Sequence, residues 1–138
     1  RRTGSRHPGR TREVNRLTSQ VNISITATPS KYCAVLAVEK GGTVHKKVVA
    51  EDRKASINSN TLQAAIAALK ALNRPCMLDI YVNNDYMTGP IRNGWLTEWQ
   101  RNGWRNARGR EVKNRGQWQE LAALMAPHSI RLTCTRDV

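Results

Sequence analysis

The stretch DIYVNNDYMTGPIRNGWLTEWQRNGWRNARGREVKNRGQWQEL, residues 79–121, decides how the chain is read. Its first residues belong to CMLDIYVN (76–83), apolar and β-branched enough for a strand. Tyr86–Thr88 then begins a short helix that Gly89-Pro90 should interrupt, since proline has no amide hydrogen for the helical ladder. Trp95 and Trp99 stand one helical turn apart, and Asn102-Gly103 ends that helix. RNARGREVKN (105–114) is a basic loop, and RGQWQELAALMA (115–126) is an amphipathic helix stopped by Pro127.

Toward the N-terminus, VNISITA (21–27) alternates apolar and polar residues with the period of a half-buried strand. YCAVLAVEK (32–40) and TVHKKVVAE (43–51) read as two further strands joined by a Gly41-Gly42 hairpin turn. SINSNTLQAAIAALKALNRP (56–75) is the clearest helix, with Ser59 or Asn60 as its cap and Asn73 and Pro75 at its end. On the C-terminal side, HSIRLTCT (128–135) alternates again. The order β-β-β-α-β-α-α-α-β predicts an α/β fold, a five-stranded mixed sheet with helices packed on it.

The 138 residues suffice for one domain with its own core, and a formal charge of +13 calls for an acidic partner. Residues 1–17 hold six arginines and almost nothing apolar, which predicts a flexible basic arm before a domain over 18–138. No apolar run reaches the roughly 18–20 residues of a membrane span, so no membrane partner is expected. A polar N-terminus without an apolar segment fits a cytoplasmic protein. Cys33, Cys76 and Cys134 lack metal-ligand spacing and read as buried free thiols. His7, His45 and His128 are isolated, as surface or strand residues would be.

The quoted stretch resembles the type 1 ribonuclease H family. Members carry Thr-Asp-Ser at a strand end, a Trp-bearing helix, an Asn-Gly-Trp-Lys turn, Val-Lys-Asn, and Trp-x-x-Leu on the next helix. The corresponding residues are Val82-Asn83-Asn84, Trp95 and Trp99, Asn102-Gly103-Trp104-Arg105, Val112-Lys113-Asn114, and Trp118 through Leu121. The similarity extends back to Val21 and forward to Thr135, and looks especially like divergent relatives from bacterial genomes and mobile elements.

That resemblance implies Mg²⁺-dependent cleavage of RNA paired to DNA, with two ions held by four acidic side chains. Carried over residue by residue, the first-strand acid falls at Thr26, or at Ala27 if the register shifts by one. The helix acid falls at Thr61 and the fourth-strand acid at Asn83, while the family's final acid-bearing helix has no counterpart before Val138. Neutral oxygens do not replace the carboxylates that hard Mg²⁺ prefers. The carried-over positions therefore lead to the expectation of a catalytically inactive ribonuclease H-like domain with no cofactor, the alternative being an active RNA/DNA hybrid ribonuclease that uses Mg²⁺ at a site completed elsewhere.

The family's basic, tryptophan-rich handle corresponds to residues of about 89–116. Arg101, Trp104, Arg105, Arg108, Arg110, Lys113 and Arg115 are the candidate contacts to nucleic acid, with Ser56 and Asn58 before the first long helix. Trp95, Trp99 and Trp118 are expected to fold the handle onto the body. The expected partner is an RNA/DNA hybrid or another duplex. A connector role, a partner enzyme or homodimerisation is the alternative.

Overall fold

A computed structural model describes residues 19–135, so the basic arm over 1–17 lies outside the described residues. Five strands follow the expected order: β1 (Ser19–Thr28), β2 (Lys31–Lys40), β3 (Thr43–Asp52), β4 (Cys76–Val82) and β5 (Ser129–Cys134). They form one sheet in the spatial order β3-β2-β1-β4-β5. The β1–β2 and β2–β3 pairs are antiparallel, whereas β1–β4 and β4–β5 are parallel. Among the described residues there are four helices: α1 (Ile57–Lys70), α2 (Asp85–Arg92), α3 (Trp95–Arg101) and α4 (Arg115–Met125).

Alternation dictates which side of the sheet is covered. On β1, Val21, Ile23 and Ile25 are buried while Asn22, Ser24 and Thr26 are exposed, as a strand with one core-facing side requires. Helix α1 packs on β1 and β2, and α4 packs on α1. The small side chains Ala64, Ala65 and Ala68 let α1 approach closely, and all three are buried with Leu62, Ile66 and Leu69. Gly41 and Gly42 both have positive φ, the geometry that a two-residue hairpin matching the strand twist needs.

Two local expectations are corrected. The cap of α1 is Ser56, whose side chain accepts from the Ser59 N–H at 3.0 Å, rather than Ser59 or Asn60. Asn60 is fully buried instead. Its Nδ2 donates to the Thr28 and Arg53 carbonyls, and its Oδ1 accepts from the Arg53 guanidinium. Nor do Gly89 and Pro90 interrupt α2, which runs through both. Pro90 is buried, and the Asn93 N–H returns to the Gly89 carbonyl at 2.9 Å, so the turn closes around it.

Cys33, Cys76 and Cys134 are all free, and Cys33 is only half-buried. Among the described residues no helix is long and apolar enough to cross a membrane.

His128 is more engaged than an isolated surface residue. Its Nδ1 accepts from the Cys76 N–H at 3.0 Å, tying the approach to β5 to the start of β4. Burial lowers its pKa from the ordinary imidazole value, because the charged ring is poorly solvated there. The unfolded chain then binds this proton at higher pH than the folded chain. Stability should therefore rise with pH between the lowered folded value and about 6.5. Thermal unfolding followed down through that window should show a falling Tm, and His128→Asn should remove this part of the slope. An unchanged slope would mean that the ring titrates as it does in the unfolded chain.

Candidate nucleic-acid interface

The parallel pair β1–β4 ends with Ile25 beside Val82, and the N-terminal part of α1 lies close by, because Asn60 bonds to the Thr28 carbonyl. Crevices outside the carboxyl ends of such strands, where the chain reverses its order in the sheet, are the usual ligand sites of α/β folds. The residues here are neutral. Thr61 is buried, and its Oγ1 donates to the Ile57 carbonyl at 2.8 Å while accepting from Asn84 Nδ2 at 3.0 Å. Asn84 also caps α2 through the Tyr86 N–H. Asn83 is exposed just past β4.

Thr26 is exposed and points away from α1, whereas half-buried Ala27 lies on the same side of the sheet as Ile25. Ala27, reached by the one-residue shift in register, is thus the β1 position on Thr61's side. Asp79 lies on the opposite side and is engaged, receiving Arg131 Nε at 2.7 Å and Gln20 Nε2 at 2.8 Å. The Arg131 bond holds its carboxyl below the usual aspartate range. Among the described residues no three His, Cys, Asp or Glu side chains come together as a group able to hold a metal ion.

A second polar cluster supports this end of the molecule. The Ser59 hydroxyl accepts from Arg53 at 3.0 Å and donates to Gln117 Oε1 at 2.7 Å. Gln117 Nε2 donates to the Ser59 carbonyl and to Gln63 Oε1. The cluster bonds α1 to α4, which carries the C-terminal base of the handle. Ser56 and Asn58 are exposed at the N-terminal end of α1, next to this cluster.

The handle is a preformed loop. Asn106 Oδ1 accepts from the backbone N–H groups of Arg108 and Arg110, and the Asn106 N–H donates to the Arg110 carbonyl. A bridge between Arg105 and Glu111 closes the loop, and Gly109 takes the positive φ that the turn needs. Arg101, Arg105, Arg108, Arg110, Lys113 and Arg115 are all exposed. Arg115 meets Glu111 at 2.8 Å, and Arg105 donates to the Gly109 carbonyl. Exposed ion pairs of this kind hold a side chain only weakly, by about 0–1 kcal/mol.

The tryptophans divide differently from the expectation. Trp118 is buried, and Trp99 meets it edge-on at 5.5 Å between ring centroids, so these two do anchor the handle. Trp104 has φ 66° and is half-buried. Its N–H donates to the Trp99 carbonyl at 2.8 Å and its own carbonyl accepts from Val112 at 2.9 Å. Trp95 departs from the pattern. It is 50% exposed and lines a groove of about 470 Å³ with Asp85, Tyr86, Pro90, Asn93, Trp99 and Lys113. An open indole beside amides, a lysine and an aspartate is a surface on which sugars or bases can stack. Helical spacing pairs Trp95 with Trp99 and gives no sign of this exposure, because α3 is only seven residues long and buries Leu96 instead.

A family model for RNase H matches residues 22–136. The chain is a member of the RNase H family. Ribonuclease H of Thermus thermophilus is 41% identical over 88 residues, covering 63% of this chain and 53% of that protein. Ribonuclease H of Rhodopseudomonas palustris is 41% identical over 95 residues, covering 69% of this chain and 61% of that protein. The RNase H chain thus spans little more than half the length of these relatives. Among solved structures, a type 1 RNase H with the type 2 active-site motif aligns at TM-score 0.75 and 15% identity, over 86% of this chain and 64% of that one. Foamy viral protease-reverse transcriptase in complex with RNA/DNA hybrid aligns at TM-score 0.63 and 18% identity, over 86% of this chain and 17% of that one. At such identities these two structures bear on the fold, and it is the expected mixed five-stranded sheet.

Proposed function

We propose that this RNase H family chain binds an RNA/DNA hybrid or another duplex along its handle and holds no pair of Mg²⁺ ions of its own. The observation that carries the reading is the neutral strand-end centre. By the motif correspondence Thr26 or Ala27, Thr61 and Asn83 take the acidic positions of the family, and the Thr61 hydroxyl is already committed to Ile57 and Asn84. Such a donor set does not fit Mg²⁺, a hard ion that dehydrates reluctantly and is held through carboxylates. Without negative charge nothing offsets the mutual repulsion of two divalent ions. The binding half rests on the exposed cations of a loop already shaped by Asn106, next to the Trp95 groove. Contacts of this kind reach phosphates and sugars and read duplex shape more than base sequence.

The test is a titration of labelled RNA/DNA hybrid with the protein across a salt series, with and without Mg²⁺, the same samples being run on a denaturing gel. Salt-sensitive binding with intact RNA is expected. RNA cut in the presence of Mg²⁺ by protein purified free of host nuclease would overturn the inactive centre, while absence of binding at low salt would overturn the nucleic-acid reading and leave a structural role.

A further inference from the structure

We infer that the opposite pole of the sheet carries a second anion site, which takes a small phosphate ester with an apolar or heterocyclic body. The pocket has a volume of about 240 Å³ and includes Ser19 and Cys76, the first residues of the parallel strands β1 and β4. It lies at the end of the sheet away from Thr61 and Asn83, so a duplex lying along the handle does not occupy it.

Register explains why a pocket forms there. His45 pairs with Val38 and Lys47 with Leu36, so His45 and Lys47 stand on the side of the sheet that α1 covers. Helix α1 ends at Lys70, short of the β2–β3 turn, and this part of the hairpin stays open. An inward row of a covered strand is normally apolar. In this row β3 instead places a lysine and a histidine over the apolar floor formed by Val38 and Leu72.

Charge selects the ligand. Lys40, Lys46 and Lys47 come from the hairpin and Arg74 from the loop after α1, and no acidic residue lines the pocket. Among the described residues none of these four is in an ion pair. The C-terminal end of α1 faces the same space and brings an opposing charge of roughly −0.5. The three full positive charges of Lys40, Lys47 and Arg74 outweigh it, Lys46 standing in the alternate row opposite Ala37. A volume below the roughly 300 Å³ at which drug-sized pockets begin points to one phosphate on a compact body. Such a phosphate comes from a free nucleotide or from the 5′ end of a strand.

The experiment follows backbone amide shifts of the ¹⁵N-labelled full chain during titration with AMP, adenosine and inorganic phosphate. AMP is expected to move Val38, His45, Lys47 and Arg74 saturably, and to bind at least tenfold more tightly than either adenosine or phosphate. Lys47→Ala with Arg74→Ala should weaken AMP at least tenfold while leaving the rest of the spectrum in place, and Arg105→Ala should change nothing at this pole. A 5′-phosphorylated oligonucleotide compared with its 5′-hydroxyl twin then separates the sources. A gain from the phosphate at these amides identifies a strand end, and no gain alongside AMP binding identifies a free nucleotide. Absence of AMP shifts at this pole would overturn the site and leave the lysines as charges that keep an edge strand from pairing. Equal binding of AMP and adenosine would overturn its anion chemistry, and equal binding of AMP and phosphate would overturn the apolar floor.

Discussion

Replacing Trp118 with alanine should cost about 3–5 kcal/mol of folding stability, the range for deleting a large buried aromatic side chain. Trp118 is 1% exposed and sits where the handle joins the body. Its ring meets Trp99 at 5.5 Å and Tyr86 at 5.8 Å. The Tyr86 hydroxyl accepts from Trp118 Nε1 at 3.4 Å and from Asn114 Nδ2 at 3.0 Å, and donates to the Lys113 carbonyl. Truncation therefore opens a cavity and also removes one of the donors to a hydroxyl that fixes both ends of the turn into α4. Against a typical total of about 5–15 kcal/mol this is a large share. Denaturant unfolding followed by circular dichroism measures the loss, and hydrogen exchange over residues 102–114 should quicken by more than the global change explains. Trp118→Phe keeps much of the volume and loses the N–H, so it should fall between the two. A loss below about 1 kcal/mol for alanine would mean that the ring is not packed as described.

Much of this architecture was legible in the sequence because its signals are periodic. The alternation over 21–27 placed β1 with Ile23 and Ile25 inward, and the run from Ser56 to Pro75 stood out as the clearest helix. The order of elements led to the mixed sheet, and the quoted motifs led to the family. What escaped depends on contacts between segments distant in sequence. Asn60 looks like a cap beside Ser59, yet the strand end at Thr28 and the chain at Arg53 draw it into the interior. Gly89-Pro90 carries a strong breaking signal that the burial of Pro90 and Met87 overrides. Thr26 and Ala27 differ by one residue, and the burial along β1 puts Ala27 on the side of Ile25 and Thr26 on the other. At Trp95 the pattern was right about the helix and wrong about the packing expected of the ring, since a short helix need not bury both of its tryptophans.

Neutralising Arg101, Arg105, Arg108, Arg110 and Lys113 together should abolish most of the salt dependence of duplex binding. Each phosphate neutralised contributes about −0.9 to the log–log slope on a duplex with the charge density of B-DNA. Five such contacts give a slope near −4.5, so binding by the unaltered chain should weaken roughly 500-fold between about 50 and 200 mM salt. The five-fold variant should lose nearly all of that dependence and bind weakly throughout, as a hybrid titration at four or five salt concentrations would show. Folding should survive, because the loop takes its shape from Asn106 and Gly109 and not from the arginine side chains, Arg105 donating only one exposed bond to the Gly109 carbonyl. This separates the charges from their scaffold. If Asn106→Ala, with every charge kept, weakens binding at all salt concentrations and leaves the slope nearly intact, the preformed loop contributes by lowering the ordering cost of the cations. If the slope of the five-fold variant instead matches that of the unaltered chain, the phosphates meet another surface, and the exposed handle is not where this domain holds its duplex.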